Sequence, residues 1–262
     1  MSFKISKNCF TKNNSKSYSS NLNINFIHIA KTGGTSLEEL LDTNNIKYES
    51  HHLKKPCIPN SDTDKYLILI RNPIKRFVST FNYYYSLINQ DLSILDNNIS
   101  LENCLSPYFT QQKLIRNYYF SPEFDKNIIS FKDVNEFAES LTSDDLNIRK
   151  KVIDLCNYNH FLGLGFYLDD GEFIKKYKNN IAWVGKLETI NEDIENLKEI
   201  LNLDKNVSIK RIRENKNNLS KFLSEKAINN IIDFYKNDYK TLDVLYNYNF
   251  IDYETLESYK KY

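Results

Sequence analysis

Glycine, proline and cysteine are scarce in this chain of 262 residues, which contains six, five and four of them. Long apolar runs are missing too, since none approaches the ~20 residues that a helix needs to span a bilayer. The first 22 residues lack the apolar segment of a secretory signal peptide. We therefore expect a soluble, cytoplasmic protein without a membrane among its partners.

The cysteines, Cys9, Cys57, Cys104 and Cys156, are widely separated in the sequence. None forms a Cys-x-x-C pair, and none lies at metal-ligand spacing from a histidine. We predict reduced, mostly inert thiols and no metal site.

An excess of charge of one sign is also missing, because 35 Lys and Arg balance 34 Asp and Glu and leave a net charge of +1. Such a chain has no overall field that favours nucleic acid or an acidic membrane. Any anion site must therefore be local, and nucleic acid is not an expected partner.

An ordinary share of apolar residues is present, 41% of the chain, with 26% charged, which is typical of a folded protein. Residues 1–22 are polar and without periodicity, and this predicts a mobile tail. The absence of a Gly/Pro linker favours a single domain over 23–262. Within it the pattern weakens between 91 and 180, where we expect a mostly helical insertion.

Short apolar runs of the kind found in buried parallel strands occur at Phe26–Ala30, Lys65–Ile70 and Ile181–Gly185. Each is followed by residues at helical spacing, and Ile46–Ser50 is a further short candidate strand. The sequence thus predicts an α/β fold with a P-loop-like central parallel sheet flanked by helices. Leu37, Leu40 and Leu41 predict a helix after the first strand, and Asn72 and Pro73 predict the cap and the start of a long helix after the second. The apolar stripe of that long helix leaves Lys75, Arg76, Ser79 and Asn82 on other faces. Further helices are predicted near 107–119, 133–141, 144–157 and 189–201, and Ser224 is the predicted cap of one long closing helix.

Two of the six glycines are adjacent in the segment Lys31-Thr32-Gly33-Gly34-Thr35-Ser36, between the first predicted strand and its helix. Glycines let the backbone turn tightly and approach a ligand, and the free N–H groups at a helix start attract an anion. Lys31, Thr35 and Ser36 add side-chain partners for a phosphate-type group. The alternative is a tight turn capped by Thr35 that binds nothing.

A P-loop kinase or another nucleotide phosphotransferase also places a phosphate loop after its first strand. That loop requires G-x-x-x-x-G-K-[ST], whereas here the lysine precedes the glycines. The second strand ends in Arg71-Asn72-Pro73, where a Mg²⁺-holding aspartate would be expected. We keep this class as an alternative, together with a non-catalytic protein that binds a nucleotide.

The segment FIHIAKTGGTSLEELL from Phe26 to Leu41 resembles the 5′-phosphosulfate loop of sulfotransferases that use PAPS (3′-phosphoadenosine 5′-phosphosulfate). It is most similar to their carbohydrate group, which includes the heparan sulfate 2-O-sulfotransferases. LILIRNPIKRFVSTFNYYYS, from Leu67 to Ser86, resembles the 3′-phosphate segment, in which Arg71 and Ser79 match the phosphate-binding positions. The resemblance implies transfer of a sulfuryl group from PAPS, without a metal, to a hydroxyl of an acceptor such as a glycan.

Two further stretches resemble this family more weakly. Trp183–Thr189 matches a late strand and its turn, to which we assign no chemistry. Asn215–Lys221 matches a loop that covers the nucleotide, where Lys216 is a candidate cofactor contact or part of a solvated basic loop.

Sulfuryl transfer needs a base, and a neutral imidazole suits that task near neutral pH. We expect His28 to be a satisfied core residue inside the first strand. His51 and His52 follow the short strand at 46–50, which delivers them to the sheet edge where α/β enzymes bind ligands.

The family resemblance implies a catalytic His after the second strand, and we choose His52 as the base, with His51 orienting substrate; two surface histidines are the alternative. His160 is left open between a structural and a substrate-contacting role. Lys31 is assigned both to the 5′-phosphate and to the charge that develops on the leaving oxygen.

Overall fold

The computed structural model describes residues 22–96, 122–210 and 219–262. Its centre is a sheet of four strands in the order β2-β1-β3-β4, with every neighbouring pair parallel. This is the central parallel sheet that the sequence predicts. The strands are β1 (Asn23–Ile27), β2 (Tyr48–Ser50), β3 (Asp64–Ile70) and β4 (Ile181–Lys186).

The first strand ends earlier than its apolar run suggests. It pairs with β3 from Asn23 to Ile27 and stops there, so the expected strand at Phe26–Ala30 is shifted toward the N-terminus. The chain then turns, because the N–H of Ile29 bonds to the carbonyl of Ile27 at 3.1 Å and the Thr32 hydroxyl donates to the carbonyl of Ile29 at 2.8 Å. His28 consequently lies beyond the carboxyl end of the strand.

Helices follow the strands as expected in an α/β fold. The long helix after β3 is capped by Asn72, whose side-chain oxygen accepts the N–H groups of Ile74 and Lys75 at 2.9 and 3.1 Å, so the predicted cap is confirmed. The helices of the described residues are α1 (Gly34–Thr43), α2 (Pro73–Asp96), α3 (Pro122–Ile129), α4 (Val134–Glu139), α5 (Leu146–Cys156), α6 (Leu164–Leu168), α7 (Glu172–Tyr177), α8 (Ile190–Leu201), α9 (Glu225–Phe234), α10 (Lys236–Asn247) and α11 (Tyr253–Tyr259).

The described part of the predicted insertion, 122–180, contains helices and short 3₁₀ turns and no strand. Helices α4 and α5 confirm the stretches predicted near 133–141 and 144–157. Helix α2 continues to Asp96, past the predicted start of the insertion at 91. The stretch predicted at 107–119, and all of the predicted tail except Leu22, lie outside the described residues.

The closing segment differs from the single long helix predicted for it. Ser224 caps α9 as expected, with its hydroxyl accepting the N–H of Ala227 at 3.1 Å. Helix α9 ends at Phe234, and α10 and α11 follow. The backbone at Tyr235 leaves helical geometry, with φ −93° and ψ 25°, and its buried side chain donates from the hydroxyl to the Phe161 carbonyl.

Both faces of the sheet are covered by apolar side chains. One face packs against α1 and α8 through Phe26, Leu69, Leu37 and Ile194. The other face packs against α2 and the C-terminal helices in a larger cluster. Among the described residues, no helix is long and apolar enough to cross a membrane.

Candidate active site

A cavity of about 840 Å³ opens at the carboxyl ends of β1 and β3. This is the edge of a parallel sheet at which α/β folds bind ligands, because strand ends and helix starts meet there. Its lining residues are His28, Ala30, Lys31, Gly33, Gly34, Thr35, Ser36, Glu38, His52, Arg71, Lys75, Val78, Ser79, Asn82, Tyr83, His160, Leu187, Glu188, Lys221 and Tyr262.

The loop between β1 and α1 forms one wall of the cavity. Gly33 adopts φ +93°, the left-handed region that favours glycine, and it caps α1 at its N-terminus. The first N–H groups of a helix have no intrahelical acceptor and carry the positive end of its dipole. Thr35 and Ser36 of this turn line the cavity, whereas the Thr32 side chain is buried and holds the turn through Ile29.

The second glycine of the loop answers a different requirement. A Cβ built on Gly34 would lie 2.2 Å from Cδ2 and Nε2 of His28. The imidazole therefore packs directly on the backbone at the start of α1, and only glycine leaves room for it. The His28 ring is itself fixed, because its Nδ1 lies 2.9 Å from the Glu38 carboxylate.

Lys31 reaches the cavity from a strained backbone position, with φ 65°. Its Nζ lies 4.1 Å from the ring centroid of Tyr83, a distance typical of a cation–π contact. Both side chains line the cavity, so the ammonium faces the space beside the loop.

A second cationic wall comes from the end of β3 and the start of α2. Arg71 donates from Nη1 to the Lys31 carbonyl at 2.9 Å, which ties the strand end to the loop. A guanidinium has five N–H groups, and this bond uses one of them. Ser79 lies in the second turn of α2 and lines the cavity with Arg71. Lys75 also lines the cavity. It precedes Ser79 by four residues on the same helix, so the two side chains share one face, and this spacing could have identified Lys75 from the sequence.

Glu188 borders this wall, in the turn to which we assigned no chemistry. Its two oxygens accept the N–H of Asn72 at 3.2 Å and the hydroxyl of Tyr259 at 2.6 Å. Burial lowers the pKa of Arg71, and the charge of Glu188 counteracts that effect. The carboxylate thus favours the charged form of the half-buried guanidinium without a direct ion pair.

His52 contributes an imidazole to the cavity lining, where Arg71 contributes a cation. The hydrogen bond of the ring shows which of its nitrogens carries the proton. Its Nδ1 is 3.1 Å from the carbonyl of His28, and a carbonyl only accepts, so Nδ1 carries the proton. The lone pair is then on Nε2. Burial, together with the neighbouring His28, lowers the pKa of His52 to about 4. The ring is therefore neutral near pH 7.

His28 differs from our expectation in position but not in bonding. It is buried and hydrogen-bonded, as expected of a core residue, but it follows β1 and lines the cavity. Its ring centroid is 4.3 Å from that of His52. Burial alone would raise the pKa of Glu38, but the hydrogen bond and charge of His28 and the Ser50 hydroxyl hold it below its ordinary value.

His51 does not share the cavity with its neighbour. Its side chain is fully buried, and its Nε2 lies 3.0 Å from Oδ1 of Asn25 on β1. Adjacent residues after a strand point to opposite sides, which explains why only His52 reaches the lining.

His160 lines the cavity, with its ring centroid 5.4 Å from that of His52. Its position depends on Arg76, which sequence reasoning placed away from the apolar stripe but which is only 2% exposed. Arg76 donates to the carbonyls of His160, Phe161 and Leu162 at 2.9 to 3.1 Å. Its guanidinium also lies 3.9 Å from Asp238, which accepts the N–H of Gly165.

The loop predicted to cover the nucleotide is described only in part. Lys216 lies outside the described residues, so its predicted role stays a prediction. Lys221, from the same segment, lines the cavity, and its carbonyl accepts the hydroxyl of Tyr262.

The cavity thus combines a helix N-terminus and two cationic walls with the imidazoles of His52 and His160, whose pKa values burial lowers, an arrangement suited to the transfer of an anionic group. The comparison with protein families names the group. The chain belongs to the sulfotransferase family, whose model matches residues 16–257. The comparisons with curated proteins and with solved structures find no match. The chain is therefore a sulfotransferase, and the phosphotransferase alternative loses its support.

Proposed function

We propose that this enzyme transfers a sulfuryl group from PAPS to a hydroxyl of a carbohydrate acceptor. One observation carries the proposal: Lys31 and residues 33–36 of the loop, the Arg71 and Ser79 pair, and His52 all line the same cavity of about 840 Å³. A cavity of that size holds a nucleotide and leaves room for the reacting end of an acceptor.

The donor binds through its charged ends. The 5′-phosphosulfate lies at the start of α1, where Lys31, Thr35, Ser36 and the backbone N–H groups face the cavity. Arg71 and Ser79 bind the 3′-phosphate, and a guanidinium suits this group because it donates paired hydrogen bonds. Lys75 adds a further positive charge on the same wall.

His52 acts as the general base. Its Nε2 accepts the acceptor hydroxyl proton while the hydroxyl oxygen attacks sulfur on the side opposite the bond to the nucleotide. A new O–S bond forms, the S–O bond to the 5′-phosphate breaks, and the electron pair of that bond leaves with the nucleotide. The His28 carbonyl holds the ring in the tautomer that this step needs.

Lys31 stabilises the charge that develops on the leaving oxygen. Such a contact is stronger in the transition state than in the ground state, so its loss lowers turnover more than nucleotide affinity. We expect Lys31→Ala to bind PAP (3′-phosphoadenosine 5′-phosphate) nearly normally and to lose about 10²- to 10³-fold in kcat. Retention of most of the turnover would remove Lys31 from the mechanism.

The carbohydrate acceptor rests on the resemblance of the two phosphate motifs to the carbohydrate group of sulfotransferases. His160 and Tyr83 line the cavity beside His52 and Lys31, and they are the side chains that an acceptor would meet. We assign no substrate contact to His51, because it lies outside the lining. A panel of sugars, phenols and amines with radiolabelled PAPS tests the acceptor class, and labelling of a phenol or an amine alone would contradict it.

The donor site is tested by thermal shift with PAP and, in parallel, with Mg·ATP. A ligand at 100 times its Kd that binds only the folded state adds about 2.7 kcal/mol of stability. We expect a clear rise with PAP, little response to Mg·ATP, and a reduced rise in Arg71→Ala. Arg149→Ala is the matched control, since Arg149 lies outside the cavity and bonds to the Ser143 carbonyl. A thermal shift with Mg·ATP and none with PAP would contradict the proposal.

A further inference from the structure

Outside the active-site cavity, three side chains of different chemistry converge where the edge strand β2 ends. They are Glu49 on β2, His51 directly after it, and Cys57 on the following loop. One oxygen, nitrogen or sulfur from each lies within 4.8 Å of the others. Glu49 and Cys57 are exposed, whereas His51 is fully buried.

We propose that Glu49, His51 and Cys57 bind a transition-metal ion of the zinc type. The inference is independent of the function proposed for the cavity. It also revises our sequence prediction of no metal site, which rested on the spacing of cysteines and histidines alone. Spacing rules miss this group because the carboxylate comes from a strand and the thiol from a returning loop.

The orientation of His51 supplies the independent observation. The Asn25 side-chain nitrogen donates to the Asn23 carbonyl at 3.2 Å, which leaves its Oδ1 as the acceptor that faces His51. The Nε2 of His51, 3.0 Å from that oxygen, therefore carries the proton. The lone pair of the ring is on Nδ1, on the side of Glu49 and Cys57.

That lone pair is buried and has no hydrogen-bond partner among the described residues. The nearest carboxylate oxygen of Glu49 is 3.8 Å away, too far for a hydrogen bond, and it is itself an acceptor. Leaving a buried acceptor unsatisfied is costly, and native structures rarely do so. A cation between Nδ1, the carboxylate and the thiolate satisfies all three groups.

The ligand set suits zinc, which takes sulfur, nitrogen and carboxylate oxygen in tetrahedral geometry. Bond lengths near 2.0 to 2.3 Å place such ligands about 3.3 to 3.8 Å apart, so the exposed Glu49 and Cys57 must close by roughly 1 Å. Three protein ligands leave the fourth position to water. The bond from His51 to Asn25 is the outer-shell contact that metal-bound histidines ordinarily make. The Tyr66 hydroxyl, which donates to the Cys57 carbonyl at 2.6 Å, holds the loop in place.

Titration of the purified full-length chain with Co²⁺ tests the site directly. Cobalt bound by a thiolate gives a sulfur-to-metal charge-transfer band in the near ultraviolet, and we expect this band in the wild-type chain and its loss in Cys57→Ser. Cys9→Ser and Cys104→Ser are the matched controls and should retain it. Absence of the band in the wild type, or its persistence in Cys57→Ser, would overturn the proposal.

A second pair of variants separates metal binding from general destabilisation. Glu49→Gln removes a ligand and should weaken Zn²⁺ binding, measured by competition with Co²⁺, by tenfold or more. Lys54→Met removes an ammonium that lies 3.1 Å from the Glu49 carboxylate, so it should tighten binding several-fold. A damaged fold cannot produce that gain. Equal affinity in all three proteins would contradict the site.

Discussion

The two sides of the active-site cavity are built in different ways. The phosphate side, named for the ligand proposed above, consists of Lys31 and residues 33–36 of one loop and of Arg71 and Ser79 from a single strand–helix junction. The histidine side is assembled from three distant segments, which contribute His28, His52 and His160. Backbone N–H groups and cations of the first side attract negative charge, whereas the second side offers imidazole rings, of which those of His52 and His160 have pKa values lowered by burial.

The difference shows which contacts each of the two proposed functions, phosphate binding and proton transfer, depends on. The proposed phosphate binding depends on local geometry, since Gly33 and the start of α1 lie close in sequence to the side chains that line this part of the cavity. The proposed base chemistry depends on tertiary contacts, because the carbonyl of His28 sets the tautomer of His52 and Arg76 holds the backbone of His160 in place. Variants on the two sides should therefore fail in different assays.

The largest effect is expected from His52→Ala, which removes the proposed base. General base catalysis contributes about 10²- to 10⁴-fold, so kcat should fall by that factor. The stabilisation by PAP should stay as in the wild type, because the phosphate side is untouched. Turnover with radiolabelled PAPS and a thermal shift with PAP measure the two quantities.

His28→Ala is the matched comparison. Because His28 packs on Gly34, this substitution should reduce PAP binding as well as turnover. A His52→Ala enzyme with normal kcat would erase the distinction between the two sides.

Arg76→Met should break the histidine side through stability. The variant leaves the carbonyls of His160, Phe161 and Leu162 without their donor and leaves the Asp238 carboxylate buried and unpaired. Removing one partner of a buried ion pair costs about 3 to 5 kcal/mol, and urea unfolding measures the loss. The neighbouring exposed Lys75→Met is the control, and it should change the free energy of unfolding by about 0.5 kcal/mol or less. Similar losses in both variants would mean that the Arg76 contacts do not hold this side together.

Gly34→Ala tests the contact through which the two sides meet. Its methyl group would collide with the His28 ring, and overpacking of this kind costs about 1 to 3 kcal/mol. We expect a lower free energy of unfolding and weaker PAP binding. The double variant Gly34→Ala/His28→Ala should recover part of both losses, because the ring is gone. Additive losses would show that the clash is not with His28.

Ser79→Ala should have the smallest effect. In the proposed donor site the hydroxyl contributes one uncharged donor to the 3′-phosphate, and a hydrogen bond to a charged group is worth about 1.5 to 3 kcal/mol. PAP affinity should fall by about tenfold to a hundredfold, with kcat nearly unchanged, as measured by calorimetry and steady-state kinetics. Thr43→Ala, on the exposed end of α1, is a control that should bind PAP as the wild type does. A fall in kcat alone would move Ser79 from donor binding to catalysis.

The sheet and the phosphate loop could be predicted because their signals are local. Buried strands show as apolar runs, Asn72 and Pro73 mark the start of α2, and two adjacent glycines are conspicuous in a chain with six. Even there, the reason for Gly34 was hidden, since it concerns a ring that packs on it from another element.

The histidine side could not be predicted to the same depth. The strand end at Ile27 is set by pairing with β3, so periodicity alone kept His28 inside the strand. Arg76 lies away from the apolar stripe of its helix, yet carbonyls from a segment more than 80 residues away surround it. Alternation predicted that only one of His51 and His52 would face the cavity, and the choice of His52 rested on how the surrounding stretch lines up with the family resemblance. Its catalytic role stays a prediction.

His28 lies between the proposed donor site and the proposed base, and it contacts both. Its ring sets how close the start of α1 lies, and its carbonyl sets the orientation of His52. In the proposed mechanism, the distance between the donor and the base therefore depends on this one residue. Redesign of the enzyme for new acceptors could therefore vary positions such as 83 and 160, whereas a change at position 28 would alter the distance between the proposed donor site and the proposed base.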